Sequence, residues 1–316
     1  MPDGSVVITG VGIIGPLGCT AGEFAHGWRG GRCAEQVRLP ELAGTPLAHS
    51  PVAALPAFDP ALRLGGRRML KFMSDAAVLG CLAAREALQE AQALQRFPPH
   101  RIGLYAGTGL AAANVNDVRA VVDASIDAAG EFSCRLLGER GLAAANPLLS
   151  FKILANMPPC LISVSEGIRG PNLIFTPWEG QTGAAIAEGW RAVATGEVAC
   201  ALVGAADTAA SASTFVYLRQ AGLLGPEEFP ASGAGYLVLE RTETAQRDGV
   251  PIRARIRNMR LQPCAHISDP LGPRLGRTFA AAPALLMGLA ALGAMDDFSI
   301  CGVDRQELHV ELEAAS

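Results

Sequence analysis

The chain has 316 residues, half of them apolar and only 18% charged, which is enough for one large α/β unit with a sizeable core. A formal net charge of −4 with no basic block gives nucleic-acid binding no electrostatic support. Two lysines, Lys71 and Lys152, stand against 24 arginines, so lysine chemistry is confined to two positions.

Ser5–Thr9 reads as a strand, with no basic n-region and apolar h-region before it, so no signal peptide is expected. A helix-like stretch covers Thr20–Arg29, and a proline-rich loop spans Leu39–Pro60. Over Lys71–Ala93, Ala, Leu and Met recur at helical spacing around Arg85, Glu86 and Glu90, which predicts a helix. Ile102–Tyr105 is a strand ending in Ala-Gly-Thr-Gly, and a mixed, partly helical segment follows over Ala111–Leu142. Leu173–Phe175 reads as a strand, Thr176–Gly180 as a sharp turn, and Gln181 to about Thr195 as a helix. Strands follow at Ala199–Gly204, Tyr236–Glu240 and Ile252–Ile256, with short ones near Phe298–Cys301 and Leu308–Leu312. Thr278–Met295 is uncharged over 18 residues but holds Pro283, Gly288 and Gly293 and lacks a basic flank. It reads as a buried core helix, not a membrane span. This mixed βαβ order predicts a layered α/β fold, with no linker separating independent domains.

Several patterns suggest chemistry they do not support. Gly10-Val-Gly12-Ile-Ile-Gly15 follows a strand as a dinucleotide-binding turn would. Pro16-Leu17-Gly18 interrupts the helix that such a turn needs, and no second strand ending in an acid follows. The glycines are therefore expected to serve close packing. Eight scattered cysteines form no CxxC pair and no zinc spacing with His26, His49, His100, His266 or His309. They read as buried, reduced thiols of a cytoplasmic protein. Ser163-Val-Ser165-Glu166 lacks the glycine frame of a nucleophile elbow.

The strand–turn–helix at Leu173–Gln181 is such an elbow, and it presents Glu179. A carboxylate is a poor nucleophile for acyl transfer. The segments around it resemble the β-ketoacyl synthases, the thiolase-fold condensing enzymes of fatty-acid and polyketide synthesis. The resemblance rests on Val7-Ile-Thr-Gly-Val-Gly-Ile-Ile-Gly-Pro-Leu-Gly18, Arg68-Met-Leu-Lys-Phe-Met-Ser-Asp-Ala76 and Arg101-Ile-Gly-Leu-Tyr-Ala-Gly-Thr-Gly109. It continues through Gly170-Pro-Asn-Leu173, Gly196-Glu-Val-Ala-Cys-Ala-Leu-Val-Gly-Ala-Ala206 and Ser232-Gly-Ala-Gly-Tyr-Leu-Val-Leu-Glu240, and covers about the first 260 residues. It implies an αβαβα thiolase-like fold with a truncated C-terminal half: residues 1–250 as the N-terminal half with the elbow, 251–316 as the shortened second half.

The resemblance also implies which residues should catalyse, and they are missing. Gap-free counting from Gly170-Pro171 and back from Gly196 puts Glu179 where the family's TACASG motif has its cysteine. Arg277, in Gly276-Arg-Thr-Phe-Ala-Ala-Ala-Pro-Ala-Leu-Leu286, stands where a GH…GAAG motif has its histidine. There is no HGTGT and no lysine after Lys152, and Arg277 comes only seven positions after Pro270. The block that carries both is deleted. No catalytic residue, cofactor or metal is expected. Glu179 is expected either to cap its helix or to pair with Arg277.

The family precedent for an emptied subunit is the chain-length factor, or ketosynthase β-subunit, of type II polyketide synthases, with shortened versions in aryl polyene-like systems. That implies a cytoplasmic heterodimer with an active ketosynthase, reached by an acyl carrier protein, with no nucleic acid or membrane involved. Interface or tunnel candidates are Asn146, Phe151, Met157, Asn172, Leu173, Ile174, Phe175, Thr176 and Trp178, and the 111–142 segment reads either as a boundary of the acyl pocket or as a surface insertion. The alternatives are an independent decarboxylase-type priming enzyme using Glu179, or a purely structural pseudoenzyme.

Overall fold

A computed structural model of the chain describes residues 6–110 and 114–314. Strand β1, Val6–Ile14, is nine residues long and buried throughout, as a strand covered on both faces must be. The remaining strands are β2 (Gln36–Val37), β3 (Val52–Ala53), β4 (Ile102–Thr108), β5 (Asn172–Phe175), β6 (Cys200–Thr208), β7 (Ser232–Arg241), β8 (Ala254–Pro263), β9 (Phe298–Cys301) and β10 (Gln306–Ala314). Eight of them form one sheet in the order β5-β4-β6-β7-β1-β8-β10-β9, and β2 and β3 pair separately. β4 runs parallel to β5 and β6, and the other neighbours are antiparallel.

Gly10 and Gly12 lie inside β1, against the helix Asp75–Glu90. A Cβ at Gly10 would sit 2.1 Å from the Ala87 carbonyl oxygen, and one at Gly12 would sit 1.9 Å from that of Ala83. These glycines let strand and helix approach, as expected, and the strand runs on to Ile14 where a phosphate-binding turn would bend. The helix starts at Asp75, four residues after its expected beginning, because Ser74 caps it: the Ser74 hydroxyl accepts from Ala77 N.

β1 and β8 pair only through Val7–Arg255 and Ile8–Ala254. Past this seam the sheet curls, so that β8, β10 and β9 close over helices that also pack on β4, β6 and β7. Four layers result. The helices Asp75–Glu90 and Met157–Glu166 cover one face of β4-β6-β7-β1. The helices Glu179–Thr195 and Ala282–Ala291 fill the space between its other face and β8-β10-β9. The expected core helix is shorter than its uncharged run. It begins with a 3₁₀ turn at Phe279–Ala281, and every residue from Ala282 to Ala291 is buried. Among the described residues no helix is long and apolar enough to cross a membrane.

The outer face of β8-β10-β9 shows how the shortened half is accommodated. Along β10, Leu308 and Val310 are buried while Glu307, His309 and Glu311 point outward and bond across strands. Gln262 Nε2 donates to Glu307 at 2.9 Å, Asn258 Nδ2 to Glu311 at 3.1 Å, and Ser299 Oγ lies 2.8 Å from His309 Nδ1. An alternating strand of this kind suits a sheet with one face solvated.

The cysteine expectation needs correcting. Cys264 and Cys301 are joined by a disulfide, their Cα atoms 6.3 Å apart, because the segment after β8 folds back onto β9: Cys264 N donates to Arg305 O, and Ser268 and Cys301 exchange backbone hydrogen bonds. Cys33 and Cys134 are exposed.

Candidate functional site

β5 is an edge strand, paired on one side with β4. A cis Thr176–Pro177 peptide and an extended Trp178 turn the chain into the helix Glu179–Thr195. The helix begins two residues earlier than expected, and Glu179 is its first residue. Gly180 lets this helix end meet the β9–β10 loop: a Cβ there would lie 2.3 Å from Gln306 Cβ. The loop's Asp304 accepts from Gly180 N at 3.3 Å. So the carboxylate serving the first-turn Gly180 amide is Asp304, and Glu179 is turned toward other partners.

Glu179, 1% exposed, uses both carboxylate oxygens. Oε1 accepts from Arg277 Nη2 at 2.9 Å, and Oε2 accepts from Val303 N at 3.2 Å. The pairing expected between positions 179 and 277 is thus present, across 98 residues of sequence. Arg277 has two further acidic neighbours that sequence reading missed. Its Nη1 donates to Glu228 at 3.1 Å, and its Nε lies 3.1 Å from Asp269 Oδ2 without the alignment of a hydrogen bond. Its guanidinium also lies 4.8 Å from the centre of the Phe279 ring. The backbone fixes Arg277 as well: its N donates to Phe229 O, and its O accepts from Ala231 N.

One guanidinium therefore serves two buried carboxyls and a third at the rim, where the Glu228 side chain is 44% exposed. Burial pushes the Glu179 and Asp269 carboxyls above their usual range, and Arg277 pulls both back. Burial opposes the charge on Arg277, but Glu179 and Asp269 outweigh it and hold the guanidinium firmly protonated. Removing one member of such a cluster strands the others, which typically costs about 3–5 kcal/mol.

A second group of residues gathers at the carboxyl ends of β4 and β6. A cavity of about 210 Å³ lies there, lined by Thr108, Gly109, Lys152 and Asp207 among others. A larger, more apolar cavity of about 490 Å³ adjoins it, with Asp75, Asn114, Thr208 and Ser211 in both walls. Neither wall includes Glu179 or Arg277. Asp207 is 3% exposed, and its Oδ2 accepts from Ala280 N at 3.1 Å. Burial pushes its carboxyl up to about 8, with nearby Glu179 adding to the shift.

The interface and tunnel candidates separate by exposure. Asn146, Phe151, Asn172, Leu173 and Thr176 are exposed, while Met157, Ile174, Phe175 and Trp178 are half-buried. Asn172 Nδ2 donates to Ser163 Oγ at 2.9 Å, tying β5 to the helix Met157–Glu166. Thr176 Oγ1 reaches Gly109 O at 3.5 Å. Phe151 packs edge-on against Phe72 with ring centres 5.5 Å apart. Trp178 lies 6.1 Å from Phe279, inside the cluster around Phe215. Of the 111–142 segment, residues 111–113 lie outside the described residues. The rest forms the helix Val115–Ala124, short helical turns over 134–141 and a 3₁₀ turn beginning at Leu142, and Asn114, Asn116 and Asp117 help wall the smaller cavity.

Asp207, Glu228, Asp269 and Asp304 are the site residues that the sequence did not reveal. Each is an isolated acid at no recognisable spacing from its partner. The only available sign was that Asp269 and Arg277 flank the deletion.

Comparison with known proteins agrees with this geometry. Residues 3–245 match the profile of the β-ketoacyl synthase N-terminal domain. The chain is 24% identical over 311 residues to 3-oxoacyl-[acyl-carrier-protein] synthase 2 of Synechocystis sp. (strain ATCC 27184 / PCC 6803 / Kazusa), covering 89% of this chain and 68% of that protein. Among solved structures, the ishigamide ketosynthase/chain length factor superposes with a TM-score of 0.79 at 18% identity, over 99% of this chain and 100% of that one. AntDE:AntF, a type II PKS acyl-carrier protein in complex with its ketosynthase bound to the hexaketide, gives 0.77 at 15% identity, over 98% and 99%. A β-ketoacyl synthase from Burkholderia phymatum STM815 gives 0.77 at 16%, over 99% and 100%. These likenesses establish a thiolase-like ketosynthase fold, and with the profile match they show that the chain belongs to the β-ketoacyl synthase family.

Proposed function

We propose that this chain is a non-catalytic, chain-length-factor-type subunit. In this reading it pairs with an active β-ketoacyl synthase and shapes the channel for a carrier-protein-bound chain during elongation. The observation that carries the reading is the state of Glu179. At the position that counting assigns to the nucleophile, both carboxylate oxygens are already engaged, the side chain is buried, and neither adjoining cavity touches it. Condensation needs a thiolate to take the acyl group, and donors to polarise the malonyl carbonyl as it decarboxylates. A buried carboxylate offers neither and repels the enolate. Each lost donor costs on the order of 2–4 kcal/mol of transition-state stabilisation.

The surface around β5 supports pairing with a partner. A free strand edge is a template for association. Leu173 on that strand is 43% exposed, Val164 on the neighbouring helix 68%, and Leu154 just before that helix 51%. The ishigamide and AntDE:AntF structures, described as a ketosynthase/chain length factor and a carrier-protein complex, make a ketosynthase and an acyl carrier protein the partners to try. Co-expression with each ketosynthase encoded in the same genome, followed by light scattering, should give a 1:1 complex with one of them. Failure to co-purify with any encoded ketosynthase overturns the proposal, and so does decarboxylation of malonyl-carrier protein by the isolated chain.

A further inference from the structure

Two loops hold the elbow clamp from outside, and the Cys264–Cys301 disulfide joins them. One follows β9. Its Val303 N donates to Glu179 Oε2, and its Asp304 accepts from Gly180 N. The other follows β8 and carries Asp269 to the Nε side of Arg277. Cys301 ends β9 just before the first loop, and Cys264 opens the second directly after β8.

The loop after β9 does not keep its shape by local preference. Arg305 sits at φ 57°, in the left-handed region that a side chain disfavours. Neighbours hold it there: its O accepts from Cys264 N, and its Nη1 donates to Ala265 O at 2.6 Å. Space is equally tight on the elbow side. A Cβ at Gly302 would lie 2.7 Å from Glu179 Cβ and 2.6 Å from Asp304 Oδ1. The loop that touches the elbow is thus strained at one residue, packed without slack at another, and bonded covalently to the segment that restrains it.

The bond is within reach of a reductant. Cys301 is 4% exposed, but Cys264 is half-buried and residues 265–268 beside it are exposed. A dithiol thiolate can attack Cys264 Sγ. The Sγ–Sγ bond breaks, its electron pair leaves on Cys301 Sγ, and that sulfur takes a proton. The second thiol of the reductant then attacks the reductant's own sulfur in the mixed disulfide and releases Cys264 as a thiol. Two electrons and two protons pass from the dithiol to the cysteines, and the dithiol departs as a cyclic disulfide.

We infer that Cys264–Cys301 is a redox latch on the elbow clamp. Oxidised, it holds the two loops together and keeps Val303 and Asp304 on Glu179 and Gly180. Reduced by a dithiol, it frees the loop after β9, Arg305 relaxes out of the left-handed region, and both hydrogen bonds open. The ladders between β8, β10 and β9 keep the sheet intact. The latch is independent of the proposed function, because it involves the clamp alone.

The full chain would be treated at pH 7 with dithiothreitol, and the freed cysteines located by alkylation and peptide mass spectrometry. Hydrogen exchange at the Gly180 and Val303 amides would be read by NMR before and after. Cys264 and Cys301 should become alkylated while circular dichroism is unchanged. Both amides should exchange roughly tenfold faster or more, and faster than the amides of β1 in the same reduced protein. Oxidised dithiothreitol should restore slow exchange, and the double variant Cys264→Ser/Cys301→Ser should exchange like the reduced protein with or without dithiol. A disulfide that yields only after urea has unfolded the chain overturns the proposal. So does reduction that leaves exchange at Gly180 and Val303 unchanged, or no faster than in β1, since the loop then opens only with the whole fold. Free thiols at both positions after treatment with the oxidised reagent overturn it too. If the double variant does not fold, the same measurements on the unaltered protein decide.

Discussion

Two regions built on neighbouring strand ends have opposite characters. The elbow after β5 is closed: Glu179, Arg277, Asp269 and Val303 N occupy one another, and only Glu228 reaches solvent. Beside β4 and β6 lies a cavity of about 210 Å³, with the buried Thr108 and Asp207 in its wall and burial holding the Asp207 carboxyl up to about 8. Under the proposed reading, the contrast sets a structural clamp at the elbow beside a cavity that the clamp does not reach. The charges of Glu179, Asp269 and Arg277 must be satisfied among themselves because burial takes them out of water.

The sharpest way to break the comparison is to remove the clamp's cation. Arg277→Met leaves Glu179 and Asp269 buried without their counter-charge, and urea unfolding at pH 8 should show a loss of about 3–5 kcal/mol. The loss should shrink toward pH 5. Without Arg277 the two carboxyls take protons more readily in the folded state, so the variant's stability falls as pH rises. An unchanged unfolding midpoint would mean the cluster holds nothing together.

The pocket's carboxyl gives a second, smaller effect. Asp207 binds its proton up to about pH 8 when folded, whereas an unfolded aspartate releases it near pH 4. Between these values the native state holds the extra proton, so its contribution to stability is fully present below about pH 4. It is lost as pH rises through about 8, by roughly 1.4 kcal/mol per pH unit. Asp207→Asn should remove that part of the slope from unfolding curves taken between pH 5 and 8. A slope identical to the parent's would mean that Asp207 is ionised throughout.

The smallest expected effect sharpens the comparison from the side of function. Glu179→Gln in the ketosynthase complex keeps the shape of the clamp and removes the charge. Chain elongation should stay within about twofold of the parent. A total loss of turnover would make Glu179 chemically active and the clamp reading untenable.

Much of this architecture was legible in the residues. The uncharged stretch beginning at Thr278 announced a buried helix because nothing in it could face water. The glycines of β1 were readable as packing residues because Pro16 ruled out the alternative. The pairing of Glu179 with Arg277 was readable because counting set an acid and a base opposite each other, and the two side chains meet at 2.9 Å. Element starts were less legible. The helix Asp75–Glu90 waits for the Ser74 cap, and the elbow helix begins at Glu179, set by an N-terminus that packs on a loop more than a hundred residues later.

The sequence by itself determined the family segments and the alternation of buried strands and helices, and it set Glu179 and Arg277 where the resemblance expects a cysteine and a histidine. Those properties are local: they depend on which residue stands where, and on periodicities of a few residues. Tertiary structure alone decided that Asp269 and Glu228 join Arg277, that Asp304 caps the elbow helix, that Cys264 meets Cys301, and that Thr108 is left without a partner beside Asp207. Each of these depends on burial and on contacts between distant segments. The energy of a buried charge or hydroxyl is set by what surrounds it, and the packing of segments distant in sequence brings those surroundings together.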